Sequence, residues 1–297
     1  MAAAAEPQPA SLPLPGGREN AVVRVHPVTT GTAMYPEDAF FRRGGRLAGL
    51  HSLGFRSKRI EIPIPAYVVE HPGAGLILID TGFHASVAVD RRANLGPVLG
   101  RVFNPKMGTD EGMPDQLRAR GFSPADVATV VMTHLHVDHA SGVAQFPDAT
   151  FVVSEREWRA ASKEKGLRGG YVRRQFDHAF DWRTLDFDAD EVNSYVSFGR
   201  TLDLFGDGSV RLAYTPGHTL GHMSVVLRTG GGELLVAADA AYTMRTIKES
   251  VMPYGAHDEH EFRRSLRELQ RYIEQKPDAV VSVGHDLEAF RALEPVY

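Results

Sequence analysis

A cluster of metal-ligating residue types at the end of an apolar run constrains this chain more than any other feature. Residues 127–132 are mostly apolar, as expected of a buried strand, and positions 133–139 then read Thr-His-Leu-His-Val-Asp-His. Neutral imidazole and carboxylate are ligands of divalent first-row metals. A His-rich polar loop without a function explains one histidine, but not this ordered set. The segment therefore predicts a metal site at the end of a strand.

The spacing within this segment suits two neighbouring metals. In an extended backbone, residues two apart point the same way and lie about 6–7 Å apart, so His134 and His136 can converge on one ion. Asp138 and His139 are adjacent, so a turn is needed to direct both at a second ion. The pattern at 140–143 predicts the start of a short helix behind the site.

A two-metal site needs more ligands, and the chain supplies them in similar contexts. Each further candidate follows an apolar run that reads as a strand, so its side chain can turn into a common crevice. These candidates are His218, Asp239 and His285.

The ordered set resembles the metallo-β-lactamase superfamily. The match consists of His-x-His-x-Asp-His at 134–139, Gly-His at 217–218, Asp239, and a second Gly-His at 284–285. It spans most of the chain in the expected order. The earlier Asp80, which ends an apolar run, is similar to the aspartate of the superfamily's first motif, which supports the metal-site loop. The resemblance implies an α/β fold, specifically a four-layer αββα sandwich of the metallo-β-lactamase type.

A narrower resemblance follows the last aspartate of the set. Residues 239–242 read Asp-Ala-Ala-Tyr, which is similar to the N-acyl-homoserine-lactone hydrolases, the quorum-quenching lactonases. In that family a tyrosine three residues after the bridging aspartate hydrogen-bonds the reacting lactone. The stretch Ile-Pro-Ile-Pro-Ala-Tyr at 62–67 is also similar to that family. Ordinary packing of an aromatic ring beside the site is the alternative reading of Tyr242.

The resemblance implies a role for each residue in the hydrolysis of a cyclic ester. The implied ligands are His134, His136 and His218 for one metal, Asp138, His139 and His285 for the other, and Asp239 as the bridge. A hydroxide between the metals would attack the lactone carbonyl, because metal binding lowers the pKa of water. Tyr242 would donate a hydrogen bond to the developing oxyanion, and Asp138 would pass a proton to the leaving oxygen. Asp80 would orient a histidine ligand.

Other functions stay open. The ligand set suits two divalent ions, with zinc as the first choice over iron, manganese or cobalt. His136, in place of a glutamate, favours hydrolysis over oxygen reduction, and Asp239 stands where class B β-lactamases carry Cys or Ser. The main alternative is another metal-dependent hydrolase of this fold, an arylesterase, phosphodiesterase or thioesterase. The complete ligand set disfavours the second alternative, a non-catalytic metal-binding or sensing module.

Composition limits the class of protein. The 297 residues are 43% hydrophobic, which is enough for one large domain. A formal net charge of −4 gives no reason to expect a nucleic-acid partner. The chain has no cysteine, which excludes disulfides and thiolate ligands, and no run reaches the roughly 18 apolar residues of a membrane span. We expect a small lactone or ester substrate, no membrane partner and a cytoplasmic location.

The first twenty residues differ from the rest. They are rich in Ala, Pro and Gly without periodicity, so we predict a disordered leader over 1–20 and a single hydrolase domain over 21–297. Within that domain, 60–69 and 76–80 read as a hairpin whose prolines indicate an edge strand. Residues 258–275 read as a helix with one apolar face.

Several other side chains have two readings. Phe40, Phe41 and Leu47 suit either a lid or a contact of a homodimer. His222 suits either a support for the metal site or an ordinary buried histidine, and Glu155–Glu157 reads as a solvated helix face. Five aromatic residues read as anchors of the 155–200 segment rather than as the lining of an acyl-chain pocket. They are Trp158, Tyr171, Phe176, Phe180 and Trp182.

Overall fold

Apolar runs of the sequence form the strands of two sheets. The structure is a computed structural model, and it describes residues 4–42, 50, 57–163 and 169–297. The strands are β1 (Gln8–Pro9), β2 (Arg24–Pro36), β3 (Arg59–His71), β4 (Gly75–Ile79), β5 (Pro105–Lys106), β6 (Val127–Val131), β7 (Thr150–Ser154), β8 (Asp181–Leu185), β9 (Asn193–Tyr195), β10 (Phe198–Asp203), β11 (Val210–Tyr214), β12 (Met223–Thr229), β13 (Gly232–Ala238) and β14 (Val280–Val283).

Helices follow half of these strands. The α-helices are α1 (Glu37–Phe40), α2 (Arg91–Phe103), α3 (Met113–Arg118), α4 (Val137–Ala140), α5 (Glu155–Lys163), α6 (Arg173–Phe176), α7 (Met244–Glu249), α8 (Glu259–Gln275) and α9 (Leu287–Arg291). Short 3₁₀ turns span Ala85–Ala88, Pro124–Asp126 and Val143–Gln145. Within the described ranges, no helix is both long enough and apolar enough to cross a bilayer.

The two sheets pack face to face, with helices on their outer sides. In the described part of the chain, one sheet has the order β1-β8-β7-β6-β4-β3-β2-β5 and the other β14-β13-β12-β11-β10-β9. Ile77 and Val131 of the first sheet meet Val236 of the second in the central core. The opposite faces of the same strands, for example Leu78 and Val130, pack against the outer helices. The predicted four-layer αββα sandwich is therefore confirmed.

The strands beside the site are buried on both faces towards their carboxyl ends, which explains why those ends are mostly apolar. Each fully buried Val, Leu or Ile side chain contributes about 1.5–3 kcal/mol relative to exposure. Strands β4 and β6 are parallel, and Ile79 lies opposite Val131 at their ends. Strands β13 and β14 are also parallel, with Ala238 opposite Val283. Parallel strands end at the same edge of a sheet, so the loops after these four strands meet.

The prediction that the proline-rich strand lies at a sheet edge is wrong, because β3 pairs with β2 on one side and β4 on the other. The pairing with β4 covers only Tyr67 to His71, whereas the pairing with β2 extends over almost the whole strand. Pro63 and Pro65 therefore lie where one side of β3 has no ladder partner. This position leaves the Pro63 carbonyl free to accept a hydrogen bond from outside the sheet.

The amino-terminal residues differ from the predicted disordered leader. Gln8 pairs in parallel with Arg183 of β8, and the amide of Leu14 donates to the carbonyl of Leu204 at 2.8 Å. Leu12 and Leu14 also pack against the core between the sheets. The sequence did not predict this packing, because two leucines among prolines form no periodic pattern that indicates a strand or a helix. The single domain over 21–297 stays a prediction.

The longest helix agrees with the sequence pattern. Asp258 precedes α8, and its carboxylate accepts from the amides of His260 and Glu261 at 2.8 and 3.0 Å. This cap satisfies two donors that a helix otherwise leaves unpaired. Phe262 and Leu269 on the predicted apolar face are buried against the second sheet. The predicted helix is confirmed, with its first residue one position later.

Candidate metal centre

The loops at the strand ends bring all seven predicted ligands into one buried cluster. They form three overlapping groups, and within each group the potential ligand atoms lie within 4.8 Å of one another. The groups are His134, His136 and His218; His134, His139 and Asp239; and Asp138, His139 and His285. Asp138 and His139 lie on the helical turn α4, so the short helix that the sequence predicts to start over 140–143 starts at Val137 and contains both ligands.

The first half of the centre, which we call the three-histidine half, consists of His134, His136 and His218. His218 Nε2 lies 3.1 Å from His134 Nε2 and 2.8 Å from His136 Nδ1. Burial is the main cause that lowers the pKa of all three, to about 4 for His136 and well below the usual range for the others. At neutral pH each ring is uncharged, and each can direct a nitrogen lone pair at the centre.

The second half, which we call the carboxylate half, consists of Asp138, His139 and His285. Asp138 Oδ2 lies 3.8 Å from His139 Nε2 and 3.5 Å from His285 Nε2. Burial opposes a charge on both histidines, but nearby carboxylates outweigh it and raise the pKa of each. For His139 the rise is large, and Asp80 contributes most to it. The carboxylate half is therefore rich in negative charge.

Asp239 contacts both halves. Its Oδ2 lies 3.2 Å from His218 Nε2 and 3.3 Å from His285 Nε2, and its Oδ1 lies 3.5 Å from His139 Nε2. Burial alone would raise the pKa of Asp239, but the surrounding histidines outweigh it and hold that pKa well below its usual range. Gly284 makes room for this carboxylate, since a Cβ there would lie 2.3 Å from Oδ1.

Asp80 holds His139 from outside the cluster. Its Oδ2 accepts from His139 Nδ1 at 2.7 Å and from the Thr133 hydroxyl at 2.7 Å, and its Oδ1 accepts from the Thr133 amide at 2.8 Å. The bond at Nδ1 leaves Nε2 of His139 to face the centre. Asp80 adopts a left-handed conformation with φ of 57°, which is costly for a residue with a side chain. These contacts maintain that conformation.

Three further histidines of the cluster also have partners on their outer nitrogens. His285 Nδ1 donates to the Pro63 carbonyl at 3.1 Å, where β3 has no strand partner on that side. His134 Nδ1 lies 3.1 Å from the Thr133 hydroxyl, and His218 Nδ1 lies 2.8 Å from Tyr242 Oη. The inner nitrogens of these three rings therefore point at the centre, with each ring fixed from behind.

His222 supports the bridge residue. It is fully buried, and its Nε2 accepts from the backbone amide of Asp239 at 3.1 Å. Its Nδ1 lies 3.0 Å from the Thr215 hydroxyl. Burial lowers the pKa of His222 to about 3, so the ring is neutral and can accept the amide proton. Of the two readings of His222, the structure favours the support for the metal site.

The donor atoms of the cluster fit two divalent cations. His139 Nε2 and Asp239 Oδ1 are buried, and neither forms a well-aligned hydrogen bond to any residue that the structure describes. Buried polar atoms without partners are rare in folded proteins. Imidazole nitrogens and carboxylate oxygens in this number are ligands for first-row divalent metals. The two halves, joined by Asp239, provide one set of ligands each.

A cavity of about 710 Å³ opens onto this cluster. Its walls away from the ligands are largely apolar and include Phe40, Ile62, Leu99 and Phe103. Tyr242 lies at the junction of cavity and cluster, with its ring packed edge-on against Phe40 at a centroid distance of 4.9 Å. Burial raises the pKa of Tyr242 well above its usual range, so its hydroxyl stays protonated.

Two sequence readings near the site are corrected. Tyr171 lines the cavity and packs against His136 with a centroid distance of 4.9 Å, whereas Trp158 and Trp182 pack in the outer core as anchors. Glu157 is fully buried, so the prediction of a solvated face is wrong for this residue. Sequence reasoning missed that Glu157 lies on the same side of the short helix as Ala161, the side that faces the core.

The predicted lid or dimer segment is only partly described. Phe40 lines the cavity, so it belongs to the site. Phe41 packs partly buried beside it. Leu47, and His51 in the adjacent segment, lie outside the described residues.

A family model for the metallo-beta-lactamase superfamily matches residues 59–285, which include all seven clustered ligands. The chain belongs to the metallo-β-lactamase superfamily. The matched range begins with β3 and ends at His285, so it contains the strand ends that form the site.

Within the superfamily, the chain is similar to N-acyl homoserine lactonases. It is 37% identical over 233 residues to N-acyl homoserine lactonase AttM of Rhizobium radiobacter, covering 77% of this chain and 84% of that protein. It is 27% identical over 232 residues to N-acyl homoserine lactonase AiiA of Bacillus thuringiensis subsp. kurstaki, covering 78% and 84% of the two chains.

Solved structures agree on the fold of this superfamily member. An N-acyl homoserine lactone hydrolase with N-hexanoyl-L-homoserine at its catalytic metal centre matches with a TM-score of 0.73 and 22% identity, over 92% of this chain and 97% of the other. The dizinc quorum-quenching lactonase AidC matches with a TM-score of 0.58 and 17% identity, over 93% and 92%.

Proposed function

We propose that this chain is a metal-dependent hydrolase that opens the lactone ring of N-acyl-homoserine lactones. The observation that carries the proposal is the position of Tyr242, whose hydroxyl lies between the ligand cluster and an apolar cavity. The 37% identity to an N-acyl homoserine lactonase over most of both chains supports it. The product would be the ring-opened N-acyl-homoserine.

The proposed metal ligands divide as the two halves do. They are His134, His136 and His218 for one cation, Asp138, His139 and His285 for the other, and Asp239 for both. We propose zinc as the metal, because it accepts imidazole and carboxylate without a strong geometric preference. Bound divalent cations supply a polarised ester carbonyl and water of lowered pKa.

Tyr242 is proposed to stabilise the oxyanion. His218 directs Nε2 at the ligand cluster, so its Nδ1 carries the proton and donates to Tyr242 Oη. The tyrosine O–H is then free to donate into the cavity. A donor fixed in a buried site stabilises negative charge on the carbonyl oxygen as the ring carbon becomes tetrahedral.

Asp138 is proposed as the general acid. Its carboxyl group is buried and adjoins the cavity beside His285. When water adds to the carbonyl carbon, the bond from that carbon to the ring oxygen breaks. The ring oxygen then needs a proton to leave as an alcohol, and Asp138 can deliver one that it receives from the attacking water.

The apolar wall of the cavity is proposed to bind the acyl chain. Phe40, Ile62, Leu99 and Phe103 offer apolar surface, and each methylene buried there contributes roughly 0.8 kcal/mol. We therefore expect the affinity for the lactone to increase with the length of its acyl chain, up to the length that the apolar wall of the cavity can contact.

The remaining expectations also stand as proposals. We propose a cytoplasmic protein whose ligand is a small lactone rather than nucleic acid, with residues 21–297 as one hydrolase domain. A homodimer is proposed with Phe41 near the contact, since this ring is only partly buried.

The test is ring opening by the purified protein after its metal content has been measured. A short-chain and a long-chain N-acyl-homoserine lactone serve as substrates, bis-p-nitrophenyl phosphate as the competing substrate class, and chelator-treated protein as the control. We expect chelator-sensitive opening of both lactones, faster than phosphodiester hydrolysis, with about two metals per chain. A fully metallated protein that opens neither lactone would refute the substrate proposal.

A further inference from the structure

One buried carboxylate near the centre has no part in the proposed chemistry. Glu157 lies in the first turn of α5 and has no exposed surface. A buried carboxylate is costly unless hydrogen-bond donors surround it. Its neighbour Glu155, two residues earlier, pairs with Arg159 at the surface. The contacts of Glu157 therefore need a separate explanation.

The two carboxylate oxygens contact two different ligand loops. Oε1 accepts from the amide of Leu135 at 3.0 Å, and Oε2 accepts from the amide of Gly221 at 3.1 Å. Leu135 lies between His134 and His136 in the chain, and Gly221 lies three residues after His218. One side chain thus joins the two loops that carry the three-histidine half.

A third segment meets the same carboxylate. The Tyr171 hydroxyl also favours its ionised form. Tyr171 packs on the ring of His136, and the amide of Val137 donates to the carbonyl of Gly170 at 3.2 Å. The segment beside the His136 ring therefore contacts the same Glu157 carboxylate.

The backbone donors around Glu157 require an acceptor at each of its two oxygens. Burial raises the pKa of Glu157, and hydrogen bonds from Leu135, Tyr171 and Gly221 offset this only in part. A glutamine would turn its amide group towards one of these donors and leave that backbone N–H unpaired. Gly221 lies so close to the helix that a Cβ there would be 2.1 Å from the Glu157 nitrogen, so the loop packs directly against α5.

We infer that Glu157 is a positioning residue that fixes the three-histidine half for metal binding. The inference rests on the metal centre of the proposed function. It concerns one half only, since the carboxylate half has its own supports in Asp80 and the Pro63 carbonyl. Residues that hold metal ligands from outside usually change metal affinity 10- to 100-fold when replaced, in order of magnitude.

The experiment titrates Co²⁺ into the metal-free protein and follows visible absorption, which reports each bound ion without any turnover. Glu157→Gln is compared with wild type and with Glu155→Gln, a matched control on the same helical turn. We expect two sites in wild type and in Glu155→Gln. In Glu157→Gln we expect one site of unchanged affinity and one that is about 10- to 100-fold weaker. Thermal unfolding of the metal-free proteins measures any general loss of stability.

Two sites of wild-type affinity in Glu157→Gln would overturn the inference, and so would equal weakening of both. If Glu157→Gln does not fold, the Tyr171→Phe variant is used instead, because this substitution removes only one of the hydrogen-bond donors around the Glu157 carboxylate. A several-fold weakening of one site is then expected, and unchanged affinity at both sites overturns the inference. Wild type that binds fewer than two Co²⁺ would instead refute the dinuclear centre of the proposed function.

Discussion

The two halves of the metal centre are built from similar ligands but are held differently. In the three-histidine half, the outer nitrogens of His134 and His218 meet uncharged hydroxyls, those of Thr133 and Tyr242. In the carboxylate half, His139 meets the carboxylate of Asp80. Burial lowers the pKa values of His134 and His218, whereas nearby carboxylates raise those of His139 and His285 against the effect of burial.

The difference in charge has chemical consequences. A cation in the carboxylate half would be attracted by Asp138 and, from behind His139, by Asp80. A cation among the three neutral imidazoles would keep more of its positive charge, because Asp239 is the carboxylate in direct contact with that half. A cation held there would be the stronger Lewis acid, and Tyr242 lies on that side. One half is suited to retain its cation, the other to activate a carbonyl.

The largest effect is expected for Asp239→Ala, because Asp239 contacts both halves. Its removal takes away the carboxylate that contacts the three-histidine half directly. We expect loss of at least one metal per chain and a fall in lactone turnover of more than about 100-fold, beyond the usual effect of an outer support. Elemental analysis and ring-opening rates measure both. Two metals with full turnover would show that Asp239 is not the bridge.

A smaller effect is expected for Tyr242→Phe, which separates chemistry from metal retention. The phenylalanine ring keeps the packing on Phe40 but has no hydroxyl for the oxyanion. We expect kcat to fall by up to about 100-fold, with both metals bound. Steady-state kinetics on the better lactone, with metal analysis, make the measurement. Unchanged kinetics would reduce Tyr242 to a packing residue.

The smallest effect is expected for Asp80→Asn. An asparagine places its NH2 group either against His139 Nδ1–H or against the backbone N–H of Thr133, so one of these donors loses its acceptor and the support of His139 weakens. We expect Co²⁺ to bind about 10- to 100-fold more weakly in the carboxylate half alone. Asp148→Asn, at an exposed position, is the matched control. Equal affinity in the two variants would contradict the role of Asp80.

The ligands were predictable because their chemistry is local. His134, His136 and Asp138 lie in one short motif, and His218 and His285 each follow an apolar run that ends at the same edge. The sandwich follows from these strands together with the family resemblance.

The supports were less predictable because they act across the fold. Glu157 contacts amides 22 and 64 positions away, and the two residues before it, Glu155 and Arg156, are charged. Pro63 indicated an edge strand, yet β3 lies inside the sheet. The sequence does not show that the pairing with β4 ends before Pro63, because that depends on how the two strands align in the folded sheet. The contacts of Leu12 and Leu14 depend on an apolar surface that exists only after both sheets have formed.

The most direct test of the two-half account is anomalous X-ray scattering from crystals of Asp80→Asn and Glu157→Gln, with wild type as reference. All crystals are soaked at a metal concentration that fills both wild-type sites but leaves a site of about tenfold lower affinity largely empty. Wild type should show one peak in each half. Asp80→Asn should keep the peak among His134, His136 and His218, and Glu157→Gln should keep the peak beside Asp138 and His285. Loss of the same peak in both variants, or of neither, would contradict the account.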